Sequence, residues 1–117
     1  MRNASLFGGA VLIAVVGLSG CRSKYVEATV TNATGGPVTV VEVDYPSASF
    51  GKETLAAGAN FHYRFKTQGD GKLKAMWTDA ANHDHSVEGP TLNEGDEGTL
   101  RVTLKPTDVT WNVAVKR

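Results

Sequence analysis

His83-Asp84-His85 is the densest group of chemistry-capable side chains in this sequence. In an extended strand residues i and i+2 share a face, so His83 and His85 could present two imidazoles to one metal ion. Histidine-based metal sites need three or four donors. A third ligand would have to come from Asp79, His62 or Glu88. The plainer reading makes Asp79-Ala80-Ala81-Asn82 a hairpin loop whose polar exit runs into a strand. Gln68-Gly69-Asp70-Gly71-Lys72 carries an Asp-Gly hairpin signal. It lacks the spacing and the following helix of a phosphate loop. Asn93-Glu94-Gly95-Asp96-Glu97-Gly98 offers the oxygens calcium prefers, without the EF-hand spacing, and reads as a solvated hairpin loop. Ser47, Ser49 and Ser86 have no Gly-x-Ser-x-Gly elbow around them. Asn32-Ala33-Thr34 matches a glycosylation acceptor but is read as turn chemistry. Phe50, within Pro46-Ser47-Ala48-Ser49-Phe50-Gly51, is expected as a loop aromatic. It serves either as a binding contact or as a plug over one end of the fold. No catalytic set emerges, and the expectation is a protein that is not an enzyme.

The remaining reactive group is Cys21, the only cysteine. Met1 and Arg2 give a short positive start, and Leu6 to Leu18 is almost wholly apolar. That run of 13 residues falls short of the roughly 20 a spanning helix needs. Small residues then precede Cys21. This is the three-part layout of a secretory signal. Leu18-Ser19-Gly20-Cys21 resembles the lipobox of bacterial lipoproteins. The alternatives are an uncleaved anchor helix and an ordinary signal cut at another small residue.

The resemblance implies that residues 1–20 are removed and that Cys21 becomes the first residue. It would then carry a diacylglyceryl thioether and usually an amide-linked chain. Several acyl chains give the stable anchoring that a single chain does not. Arg22 follows, not Asp, which resembles the outer-membrane sorting pattern of Gram-negative lipoproteins. The expected location is therefore the cell envelope, and the outer membrane in a Gram-negative host. Lipidation would consume the only thiol, leaving no disulfide and no cysteine ligand. The covalent lipid on Cys21 is the only non-protein group expected.

Removing residues 1–20 takes away one basic residue, Arg2, and no acid. The mature chain would carry 11 basic and 12 acidic residues, a net charge of −1. With no Lys/Arg run among the strands, nucleic acid is not an expected partner. The expected partners are the membrane, through the lipid, and an envelope protein.

From Tyr25 onward apolar residues alternate. Val26, Ala28 and Val30 are followed by Val38 to Tyr45. Then come Phe61, Tyr63 and Phe65; Leu73, Ala75 and Trp77; Leu100, Val102 and Leu104; and Val109, Trp111, Val113 and Val115. A period of two gives strands with one apolar and one wet face. Val38 and Val40 fall on one parity, and Val41, Val43 and Tyr45 on the other. A bulge near Val40–Val41 would unite all five. Six or seven such strands predict an all-β, antiparallel sandwich of about seven strands over residues 25–117. The pattern resembles a small immunoglobulin-like β-sandwich, and Gly36-Pro37-Val38-Thr39-Val40 is similar to a stretch of transthyretin-like repeat domains.

Residues 21–24 then form the lipidated cysteine and its tether. Arg22, Ser23 and Lys24 reach only about 10 Å when extended. The sandwich is expected to sit on the bilayer, with Arg22 and Lys24 near anionic headgroups. The functional expectation is a non-enzymatic, membrane-anchored module for binding or envelope assembly. Its contact surface would be the end loops around Phe50 and residues 79–85, or an exposed edge strand. The alternative is a small-ligand or metal-binding lipoprotein using His83 and His85.

Overall fold

The computed structural model describes residues 24–117. The leader, Cys21 and Arg22 lie outside the described residues. The alternating stretches become strands β1 (Val26–Asn32), β2 (Val38–Tyr45), β4 (Asn60–Phe65), β5 (Gly71–Thr78), β7 (Glu97–Leu104) and β8 (Val109–Lys116). Two further strands, β3 (Ala48–Leu55) and β6 (Asp84–Leu92), bring the number among the described residues to eight. No described helix is long and apolar enough to cross a membrane.

The strands form two four-stranded sheets, β4-β1-β7-β8 and β3-β2-β5-β6. Three hairpins, β2–β3, β5–β6 and β7–β8, stay within a sheet. The other connections cross from one sheet to the other. β1 pairs antiparallel with β4 and parallel with β7, where Val26 to Asn32 face Gly98 to Leu104. The fold is thus an all-β sandwich whose pairings are antiparallel apart from β1–β7.

The inward faces meet as one core. Val26, Val30, Leu100 and Val102 of the first sheet pack toward Val43, Leu73, Ala75 and Trp77 of the second, all buried. Asn32 pins one corner of this core. Its Nδ2 donates to the carbonyls of Gly36 and Leu55 at 2.8 and 3.0 Å, and its Oδ1 accepts from Thr34 N and Oγ1. A side chain so engaged serves as turn chemistry and has no free amide for a glycan.

Two expectations about packing change. The bulge does lie at Val40–Val41, where the β2–β5 register shifts between Thr39 and Glu42. It turns Val38, Val41 and Val43 inward, but Val40 itself is expelled, 64% exposed with φ +49°. Phe50 is not a loop residue. Tyr45 pairs with Ala48 around the two-residue turn Pro46-Ser47, so β3 begins earlier than the Pro/Ser/Gly composition suggests. Phe50 points inward, 6% exposed, stacked on Tyr63 at 4.6 Å. Gly51 fits the same local need, since a Cβ there would stand 2.0 Å from the Val41 carbonyl oxygen.

Candidate functional site

Strand direction gives the sandwich two poles. β1 starts at Val26, next to Lys24, and its pole also holds the ends of β4, β6 and β8 and the starts of β5 and β7. The opposite pole carries the turns after Asn32, Leu55, Thr78 and Leu104. The histidine pair belongs to this far pole.

There the β5–β6 hairpin turns through three residues, Ala80-Ala81-Asn82, with Asp79 N donating to His83 O and Asn82 N to Asp79 O, both at 2.9 Å. Asn82 takes φ +70°, a left-handed position that asparagine tolerates and that closes such loops. Asp79 organises the tip. Its Oδ1 accepts the N–H groups of Ala81 and His83, each at 2.9 Å. Its Oδ2 accepts from His85 Nε2 at 2.7 Å and lies 3.9 Å from His83 Nδ1. The hydrogen bond from His85, reinforced by the His83 N–H, holds the Asp79 carboxyl down at about 2.

His83 and His85 therefore do share a face, and Asp79 stands between them. Their environments differ. His85 lies opposite Trp77 in the ladder and stacks on its indole at 4.9 Å, while the His83 side chain is 76% exposed. The other third-ligand candidates are elsewhere. His62 faces Thr29 on the first sheet, and Glu88 pairs with Lys72. Among the described residues no group of three His, Cys, Asp or Glu is arranged to hold a metal ion. The short Asp79–His85 bond makes this cluster a clamp on the hairpin tip.

The outer face of the second sheet carries a feature that sequence reasoning missed. Around Val40 the bulge opens two shallow grooves. One, of about 320 Å³, is lined on this face by Val40, Glu42, Met76, Thr78 and Ser86. The other, of about 370 Å³, is lined by Val40, Gly51, Lys52 and Glu53. A β-branched residue at positive φ is strained, and here it is held with its side chain in water. Nothing in the run Val38-Thr39-Val40-Val41 singles out the residue the bulge expels.

The β4–β5 and β6–β7 connections lie at the pole nearest Lys24. Thr67 to Asp70 and Asn93 to Asp96 join strands of different sheets, so neither is a hairpin. Asp96 is buried. It accepts Asn93 N at 2.9 Å and lies 3.8 Å from Arg117 Nε. Ser47 Oγ accepts Gln68 N at 3.3 Å.

No family model matches the chain. No curated protein matches it either. A solved structure, the NMR structure of the protein from Eubacterium rectale, is similar in fold. The TM-score is 0.54 with 16% sequence identity, covering 77% of this chain and 88% of that one. At that identity the likeness concerns the fold alone.

Proposed function

We propose that this protein is a lipid-anchored envelope module that binds a protein partner through the outer face of its second sheet, centred on Val40. The anchor reading is supported by Leu18-Ser19-Gly20-Cys21 after an apolar leader. The finer fold reading, an immunoglobulin-like sandwich, is supported by two facing four-stranded sheets in about a hundred residues. Val40 carries the binding reading. Its left-handed backbone costs about 1–2 kcal/mol in a residue that gains nothing from burial. Strain kept at an exposed apolar side chain, beside grooves that would receive a partner's side chains, fits a contact and not a packing role.

Val40→Asn tests it, because asparagine accepts left-handed backbone. The variant should gain about 1 kcal/mol of stability. Crosslinking the C-terminally tagged full chain in its native envelope should recover one stoichiometric protein with Val40 and lose it with the substitution. A crosslinked product that survives Val40→Asn sinks the assignment of this face.

A second reading, zinc or copper held by His83 and His85, rests on the two imidazoles sharing a face, and it requires the Asp79–His85 hydrogen bond to open. Calorimetry decides it. Sub-micromolar binding that disappears when both histidines are changed supports the metal. Heats identical in the wild type and the double variant dismiss it.

A further inference from the structure

We propose that the pole nearest Lys24 carries a binding cleft for a singly charged phosphoryl group, of the kind an anionic lipid headgroup presents. The headgroup as its source rests on the lipid-anchor reading above. The cleft has a volume of about 490 Å³ and is lined by Lys24, Lys66, Thr67, Gln68, Glu94 and Gly95. These residues come from three separated segments: the lead into β1, the β4–β5 connection and the β6–β7 connection. A hydrogen bond from Gly95 N to Thr67 O, at 3.3 Å, ties the two connections together.

Thr67 is the buried polar member of the lining. The residue is 4% exposed, and its hydroxyl is buried without a hydrogen-bond partner. A buried hydroxyl left unsatisfied costs about 1–3 kcal/mol. An acceptor that reached this hydroxyl from the cleft Thr67 lines would relieve that cost.

The charges set the class of ligand. Lys24 and Lys66 belong to no ion pair among the described residues. Arg64 is by contrast ion-paired, 3.2 Å from Glu27; it lies over the Tyr25 ring, and the Lys66 ammonium stands 5.7 Å from the centre of the same ring. Glu94 also lines the cleft and opposes an anion. Its Oε1 accepts Gly69 N at 3.0 Å, and its own N–H donates to Asp70 Oδ1 at 2.7 Å. Two ammonium groups and one carboxylate leave the lining at +1. That balances a phosphodiester, which carries one negative charge, better than it balances phosphate dianion. The position agrees. Lys24 lies three residues after Cys21, so an acylated cysteine would hold this pole within about 10 Å of the headgroups.

The test uses the full-length chain purified in neutral detergent, with amide resonances of Gln68 and Gly95 as reporters. It is reconstituted in nanodiscs of phosphatidylcholine alone or with added phosphatidylglycerol, and separately titrated in micelles with inorganic phosphate. Phosphatidylglycerol is expected to shift both amides. Lys66→Gln should weaken the response about fivefold, and Thr67→Val should abolish it while leaving the fold at least as stable. Lys105→Gln, at the far pole, should change nothing.

A response to lipid alone identifies a headgroup site. A response to inorganic phosphate, lost in both cleft variants, keeps the phosphoryl site and assigns it to the free anion. Equal sensitivity to Lys66→Gln and Lys105→Gln, or indifference to Thr67→Val, overturns the site in favour of diffuse surface charge. Mass measurement of residue 21 separates the two readings. An unacylated chain that still responds to phosphate leaves the site standing without the anchor, and an acylated chain with silent amides does the reverse.

Discussion

On the side where β3 meets β4, aromatic rings close the sandwich; where β6 meets β8, a tryptophan lies in a slot left by a glycine. The first side stacks Phe50 on Tyr63 at 4.6 Å and Tyr45 on Phe65 at 4.0 Å, with Phe61 edge-on to Phe50. The second lays Trp111 against Gly89 so closely that a Cβ there would stand 2.5 Å from the indole. It is completed by His85 on Trp77 and the Asp79 clamp. Stacked rings seal by area and keep sealing when one neighbour shifts. A glycine slot and a carboxylate clamp depend on one missing methyl and one proton. The first side should therefore be energetically heavy and insensitive to acid, and the second lighter, sterically brittle and acid-sensitive.

Phe50→Ala should break the comparison most. Removing a buried aromatic costs about 3–5 kcal/mol, read as a lower urea midpoint at unchanged slope. A cost below about 1 kcal/mol would mean that the ring cluster is not a seal. Gly89→Ala comes next, at about 1–3 kcal/mol from overpacking, with an altered near-ultraviolet circular dichroism signal from Trp111. The two substitutions lie on opposite sides, so their effects should add to within about 0.5 kcal/mol. Strong coupling would show that the sides are not independent.

The acid response sharpens the contrast. Asp79 titrates near 2 in the folded protein, against an ordinary 3.8. A lowered carboxyl stabilises the fold fully above its unfolded value and loses that contribution as pH falls through the folded one. The stabilisation from Asp79 should be intact above about pH 4 and fade toward pH 2. In Asp79→Asn that part of the pH–stability curve should flatten, whereas in Phe50→Ala it should keep its shape while moving down. The smallest effect is expected from Glu27→Gln, which cuts an exposed pair with Arg64 on the outer surface of the first sheet. It should cost less than about 1 kcal/mol and vanish in high salt.

Both edges of the second sheet escaped the sequence, and the reason is physical. In β6 the inward positions are held by His85, Val87 and Gly89, and a register shift beside Pro90 separates them from Leu92. A histidine and a glycine at core positions leave no apolar alternation to read. In β3 only Phe50 and Leu55 are buried, because an edge strand is covered on part of one face. The central strands β1, β2, β5 and β7 and the first sheet's edges β4 and β8 showed their period because apolar residues hold their inward positions. The bulge in β2 was legible from the change in parity, but which valine it expels depends on pairing with β5. Asp79 was visible only as one of three candidate companions of the histidines. Its central place follows from the hairpin closing on itself, and the far-pole loops that meet it are distant in sequence.

β1 is bonded along both edges, to β4 over Val26–Thr31 and to β7 over Val26–Asn32. It is also the strand through which any pull from the N-terminal side enters the domain. Such a pull runs along the strand axis, so the rungs of two ladders are loaded together in shear. They cannot open one after another as a zipper would. The strand that follows Cys21 in sequence is thus one the fold holds from both sides under tension.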